Sequence, residues 1–241
     1  MEPIKELESK TVAIVGLGNS WFDYNLAKSH GTHFDEVWAI NSVASVIFHD
    51  RVFMMDPASR FYDTENAGNQ TSGMLDVLEN GNKPIYTCEL DERCDNLVEY
   101  PINEVLASLN CHYLNNTVAY AVAFAVWNNV SQINMYGVDF SYKGNLHFAE
   151  SGRACVEYWL AKASSSGIQI GIAGSSGLLD TNVSDNEKLY GYHRLDDPMI
   201  VVQEKNKLIA KKSSKIITNE HQLEPTLIGR NDEHLREPKK W

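Results

Sequence analysis

Short runs of Val, Ile, Ala and Phe recur along most of the chain, each closed by turn-forming or polar residues. Residues 11–16, 36–41, 51–56 and 133–139 form four such runs. A fifth, at 168–173, follows a Ser-Ser-Ser-Gly break, and 83–87 is a candidate sixth. Their apolar content is near-continuous rather than alternating, the pattern of strands covered on both faces in a parallel sheet. Residues 117–128 are apolar almost all round, which predicts a helix buried on every side. Residues 153–164 instead place Val156, Trp159, Leu160 and Ala163 at i, i+3, i+4 and i+7, one helical stripe facing a core. Residues 57–82, rich in Gly, Asn, Thr and Ser, read as a long loop. Alternation of strands and helices predicts an α/β fold, Rossmann-like, with a mostly parallel sheet and helices on both faces. Residues 1–180 are expected to form this nucleotide-binding domain. Residues 181–241 are expected to be an irregular, basic extension packed on it or trailing from it, and no internal repeat is visible.

Composition narrows the class. With 43% hydrophobic residues over 241 positions the chain affords a buried core, which excludes wholesale disorder. The start, Met-Glu-Pro-Ile-Lys-Glu-Leu-Glu, is charged and lacks the apolar stretch of a secretory signal. The longest apolar run, 118–127, is shorter than the roughly 20 residues a bilayer span requires. A cytoplasmic location (host cytoplasm if the chain is phage-encoded) with no membrane partner is the expectation. Cys88, Cys94, Cys111 and Cys155 show neither a CxxC pair nor zinc-ligand spacing and read as reduced thiols. His30-x-x-His33 has no accompanying Cys or carboxylate cluster and reads as surface loop.

A net charge of −11 argues against a general nucleic-acid-binding protein. The charge is uneven, however. From residue 205 onward nine Lys/Arg stand against five Asp/Glu, and Lys205, Lys207, Lys211, Lys212 and Lys215 could meet an anionic partner. A solvated tail is the plainer reading of such a run. Nucleic acid and a homo-oligomer therefore stay open as partners.

In open α/β sheets ligands bind outside the carboxyl ends of the strands. The first strand ends in Gly16-Leu17-Gly18-Asn19-Ser20. Glycines let a backbone approach a phosphate, while Asn and Ser add hydrogen bonds. The loop is neither a full dinucleotide fingerprint, since Phe22 sits near the third glycine's place, nor a P-loop, since no basic residue follows. Other strand ends carry Asn41-Ser42, Asp56-Pro57 and Gly137-Val138-Asp139-Phe140. Each has an ordinary reading as a turn or cap, but four polar ends on one rim point to a ligand. Asn116 and Thr117 open the apolar helix, where free N–H groups and a positive dipole end suit a phosphate. Simple N-capping is the alternative there.

Together these motifs resemble the bacterial sialyltransferases that use CMP-sialic acid. They also resemble the related 6-hydroxymethylpterin diphosphokinase-like Rossmann proteins and short phage-encoded members of unassigned activity. The likeness runs in order over residues 11–180, through individually short motifs. It implies that Asn19 and Asn41 contact a nucleotide, beside Gly16, Gly18, Ser20, Ser42 and Asp139 that the strand-end reading also places at that site, and that Asn116 and Thr117 hold its phosphate. It also implies that His147, in the loop Asn145-Leu146-His147-Phe148 ahead of the amphipathic helix, is the general base. An imidazole titrates near neutrality and suits that role, although an ordinary surface histidine is the plainer reading. The turn Ser175-Ser176-Gly177-Leu178-Leu179 also resembles the family, and Tyr190 and Tyr192 would stabilise the departing phosphate. Asp56 departs from the pattern, standing where those enzymes carry an amide, and no Lys or Arg follows the glycine loop.

The leading expectation is a glycosyltransferase-like enzyme with a nucleotide sugar as donor substrate and no required cofactor or metal. Its acceptor is left open. An alternative is a Mg²⁺-dependent diphosphokinase or nucleotide phosphotransferase, with Asp56 and Asp139 as ligands. A third reading is a non-catalytic nucleotide-binding or virion-associated module.

Overall fold

The computed structural model describes residues 1–65, 67–68, 70–141, 145–185, 188–190, 199–205 and 207–212. Two compact units result, Met1–Ser184 and Asp185–Trp241. The first holds seven strands: β1 Thr11–Val15, β2 Glu36–Ile40, β3 Arg51–Phe53, β4 Ile85–Thr87, β5 Leu97–Glu99, β6 Gln132–Tyr136 and β7 Gln169–Ile172. All pair in parallel, in the order β5-β4-β3-β2-β1-β6-β7. The chain winds outward from β1 to β5 and then returns to lay β6 on the other side of β1. This puts a topological switch point between β1 and β6.

Alternate residues of each strand feed two separate cores, which explains the unbroken apolar runs. Val12, Ile14, Trp38, Ile40 and Phe53 face one cluster, Ala13, Val15, Val37, Ala39 and Val52 the other. Helices cover both faces, as the pattern predicts. On the first lie α4 (Ile102–Leu109), α5 (Thr117–Trp127) and α6 (Leu146–Ser165). The second carries α1 (Trp21–Ser29) and α3 (Thr71–Asn80), with the short α2 (Ser59–Tyr62) beside them. Helix α5 is buried at Ala119 and from Ala121 to Trp127. Its Phe124 meets the rings of Trp38, Phe53, Tyr86, Tyr100 and Trp127 at centroid distances of 4.8–6.0 Å. Helix α5 is thereby seated against the sheet, its N-terminus at the same end as the strand C-termini.

Three expectations change. Residues 57–82 are not one long loop but contain α2 and α3, because Met74, Val77 and Leu78 form a buried helical stripe. Helix α6 begins at Leu146, seven residues earlier than its amphipathic pattern indicated, with the Asn145 side chain capping the Phe148 N–H at 3.2 Å. The segment beyond residue 180 includes regular structure, an antiparallel hairpin of β8 (Met199–Glu204) and β9 (Lys207–Lys212) in the second unit.

Cys88 is exposed, Cys94, Cys111 and Cys155 are buried, and all four are free thiols. Among the described residues no helix is long and apolar enough to cross a membrane.

Candidate functional site

The switch point is closed by contact between two backbones. Gly16 continues the β1 ladder, donating its N–H to the Tyr136 carbonyl at 2.8 Å, and Gly18 N–H donates to the Gly137 carbonyl at 2.7 Å. A Cβ on Gly16 would sit 2.5 Å from the Gly137 oxygen, and one on Gly137 only 2.1 Å from the Gly16 oxygen. Gly137 also has φ +64°, in the left-handed region that favours glycine. The glycines are thus required by the crossing of the β1 and β6 loops.

Ser20 and Asp139 lock that crossing. The Ser20 hydroxyl accepts from the Gly137 N–H at 2.9 Å and donates to Asp139 Oδ1. The Ser20 N–H donates to Asp139 Oδ2 at 2.8 Å. Ser20 is fully buried. From the far side the Ser176 hydroxyl donates to the Val138 carbonyl at 2.9 Å, propping the β6 end.

Above the lock lies a cleft of two joined chambers. The narrower, about 310 Å³, is bounded by Gly16, Gly18, Asn19, Asp139 and Ser141. The wider, about 620 Å³, is bounded by Met55, Asp56, Arg60, Asn116, Thr117, Tyr120 and Phe148. Ile40, Asn41, Gln70, Val118 and Phe140 line both. These volumes fall within the range of small-molecule sites, and the position, over the strand C-termini at a switch point, is where such folds bind ligands.

Asn41 is the most telling of the shared residues. Its backbone is left-handed, φ 53°, a conformation that Asn tolerates better than most side chains. Its Oδ1 is buried and has no hydrogen-bond partner among the described residues. A buried acceptor left unpaired costs about 1–3 kcal/mol, so such a group at a cleft wall is suited to an incoming donor.

The structure sorts the remaining sequence candidates. Asn19 is exposed at the rim of the narrower chamber. Ser42 is buried beneath the cleft, and its hydroxyl donates to Gln70 Oε1 at 2.9 Å. Asn116 is the N-cap of α5: its Oδ1 accepts from Ala119 N–H at 3.0 Å, and its amide donates to the Gly152 carbonyl at 3.2 Å. Thr117 and Val118, the next residues of α5, line the wider chamber and begin a helix whose first N–H groups lack intrahelical acceptors. His147 lies in the first turn of α6, not in a loop before it, and is exposed. It lines neither chamber, though its neighbour Phe148 does. Tyr190 is exposed in the second unit. Tyr192 and Lys215 lie outside the described residues.

Arg60 and Gln70 of the cleft were not anticipated. Arg60, four residues after Asp56, forms an ion pair with it and so offsets the carboxylate that stands where the resembling enzymes carry an amide. Gln70 faces both chambers from the start of the α3 segment. Of the two carboxylates, Asp56 is engaged by Arg60 and Asp139 by Ser20. Among the described residues no three His, Cys, Asp or Glu side chains gather to hold a metal ion.

No family model matches the chain, and no curated protein does. Among solved structures it is similar to the sialyltransferase CstII from Campylobacter jejuni in complex with a substrate analogue, CMP-3FNeuAc. That match has 17% identity over 70% of this chain and 82% of that one, with a TM-score of 0.44. It is also similar to a point variant of sialyltransferase Cst-II in complex with CMP, at 15% identity over 85% of this chain and 96% of that one, TM-score 0.46. At these identities the chemistry of the site has to be argued from its own residues.

Proposed function

We propose that this chain is a glycosyltransferase that draws on a nucleotide-activated sugar without a metal ion. The observation that carries the reading is the two-chambered cleft over the β1–β6 switch point, lined in both chambers by Asn41, whose buried Oδ1 has no partner among the described residues. A nucleoside in the narrower chamber would meet Asn19 and Asn41. The attached phosphate would then face Thr117 and Val118 at the α5 N-terminus, where backbone dipoles favour an anion.

In the transfer, the acceptor hydroxyl oxygen bonds to the anomeric carbon while the bond from that carbon to the phosphate oxygen breaks. Its electron pair leaves with the nucleotide. The α5 amides meet the charge that develops on the phosphate, and donors aimed at such charge are a major source of rate. We assign to His147 the removal of the hydroxyl proton: it is exposed, on the turn of α6 that carries Phe148 into the wider chamber. Arg60 keeps Asp56 from repelling the phosphate.

Thermal melting in EDTA with CMP, UDP, GDP, ATP and their sugar conjugates tests the proposal. A ligand at 100 times its dissociation constant adds about 2.7 kcal/mol of stability, a readable shift. A pyrimidine nucleotide or nucleotide sugar is expected to stabilise the protein without Mg²⁺. Absence of any shift sinks the reading, and stabilisation by ATP only with Mg²⁺ transfers it to phosphotransfer. Replacing His147 by Ala should then abolish turnover and leave nucleotide affinity unchanged; an active variant removes His147 from the mechanism.

A further inference from the structure

The two chambers share an aromatic wall, and the structure shows how it is held. Phe140 has φ 49°, a left-handed conformation in which a bulky side chain is an outlier. It directly follows Asp139, whose carboxylate Ser20 grips, so its backbone is anchored on the glycine-loop side. On the other side stands Gly152 in α6. A Cβ there would lie 2.8 Å from Cε1 and 3.1 Å from Cδ1 of the Phe140 ring.

Gly152 has no positive φ to account for it. In a helix interior glycine costs roughly 0.5–1 kcal/mol relative to alanine, so what it offers here is space for the ring. The Gly152 carbonyl in turn accepts from the Asn116 amide at 3.2 Å, and the Ser151 carbonyl accepts from Asn115 Nδ2 at 3.0 Å. These bonds tie that turn of α6 to the start of α5 and hold Gly152, itself on the wall of the wider chamber, in place.

We propose that Phe140 is the specificity-determining wall between the nucleotide chamber and the chamber for the group the nucleotide carries, and that Gly152 is the residue positioning it. This rests on the nucleotide-sugar reading above and adds a division of the cleft. The wider chamber mixes Arg60, Asn116 and Thr117 with the apolar faces of Met55, Tyr120 and Phe148, a lining suited to a polyhydroxylated ring. Phe140 stands where the bond between nucleotide and sugar would pass.

The test is calorimetric titration of the full chain with CMP, CMP-3FNeuAc, UDP and UDP-glucose in EDTA. Wild type, Gly152→Ala, Phe140→Leu and the double variant are compared. Gly152→Ala pushes the ring into the cleft and should weaken the best of these ligands by about tenfold or more. In the double variant the smaller leucine side chain at position 140 leaves room for the new methyl, so affinity returns to within about threefold of Phe140→Leu alone. That recovery is one a merely destabilised variant does not give.

Losses that multiply in the double variant show the two positions to be independent and overturn the proposal. So does a Gly152→Ala protein that binds as wild type does; in both cases the nucleotide-sugar reading stands. If wild type binds none of the four probes, that reading falls and this inference with it. Should Gly152→Ala fail to fold, Phe140→Leu decides alone. It is expected to change the ratio of sugar-conjugate to bare-nucleotide affinity, and an unchanged ratio overturns the assignment.

Discussion

Replacing Ser20 by Ala removes one oxygen and with it two hydrogen bonds at the crossing of the β1 and β6 loops. The Gly137 N–H, which now donates to Ser20 Oγ at 2.9 Å in a buried setting, is left without an acceptor. An unsatisfied buried donor costs about 1–3 kcal/mol. Asp139 loses its hydroxyl donor but keeps the Ser20 N–H at 2.8 Å, and its partial exposure puts this loss near the low end for a charged acceptor, roughly 1.5 kcal/mol. The sum is about 3 kcal/mol, with no large cavity to add, since only a hydroxyl is deleted. For a unit of this size that is roughly 6–12 °C in melting temperature. Urea denaturation followed by tryptophan fluorescence reads it through the buried Trp38 and Trp159, and the midpoint should fall with the slope unchanged. Asn19→Ala is the matched control. Its side chain makes no hydrogen bond among the described residues, so stability should stay within about 0.5 kcal/mol while nucleotide affinity falls. A Ser20→Ala protein within about 0.5 kcal/mol of wild type refutes the lock.

Gly18→Ala places a methyl 2.5 Å from Asp139 Oδ2 and 2.8 Å from the Gly137 carbonyl oxygen, and should cost about 1–3 kcal/mol in the same denaturation assay. Asp56→Asn releases Arg60 from its ion pair, so nucleotide affinity in EDTA is expected to rise; a fall together with a lost Mg²⁺ dependence would favour the phosphotransferase instead. Asp91 is held at a pKa of about 2, below the usual 3.8, first by the Arg93 side chain and then by the Arg93 backbone N–H. Its folded-state pKa is depressed, so its contribution is present above about pH 4 and lost as pH falls through 2. The melting-temperature gap between wild type and Asp91→Asn should close across that window, and a gap independent of pH would contradict the pairing.

The strands were legible because burial on both faces leaves an unbroken apolar signature, and β1, β2 and β6 carry it. β5 escaped notice: its three residues lie at the sheet edge, only half-buried or exposed, and end in Glu99. Helix α3 was hidden by its first residues. Thr71, Ser72 and Gly73 are turn-formers by composition, yet Met74, Val77 and Leu78 fall at i, i+3 and i+4 and are buried. That triplet was the available signal. Gly73 also has a packing reason, since a Cβ there would meet Ser42 Cβ at 3.0 Å. Helix α1 exposes Phe22 and Leu26 while burying Tyr24, which blurs the stripe that would announce it.

At the site, the strand-end rule located the rim, and what it left undecided was the partner of each polar group. Ser20, Ser42, Asp139 and Asn116 all stand where a ligand contact was expected, yet each commits polar atoms to the protein itself. Their partners are Gly137, Gln70, Ser20 and Ala119. Three of these four bonds join segments far apart in sequence, and a strand end cannot show which distant loop will face it. A polar side chain becomes available to a ligand only after such neighbours have been satisfied. Asn41 differs because its left-handed backbone turns the chain into the 41–45 helical turn and leaves Oδ1 buried without a partner among the described residues. Sequence order gave Asn19, Asn41 and Ser42 equal standing. The balance of donors and acceptors at the switch point is what sets Asn41 apart: its Oδ1 is buried with no partner among the described residues, whereas Ser20, Ser42 and Asn116 have theirs.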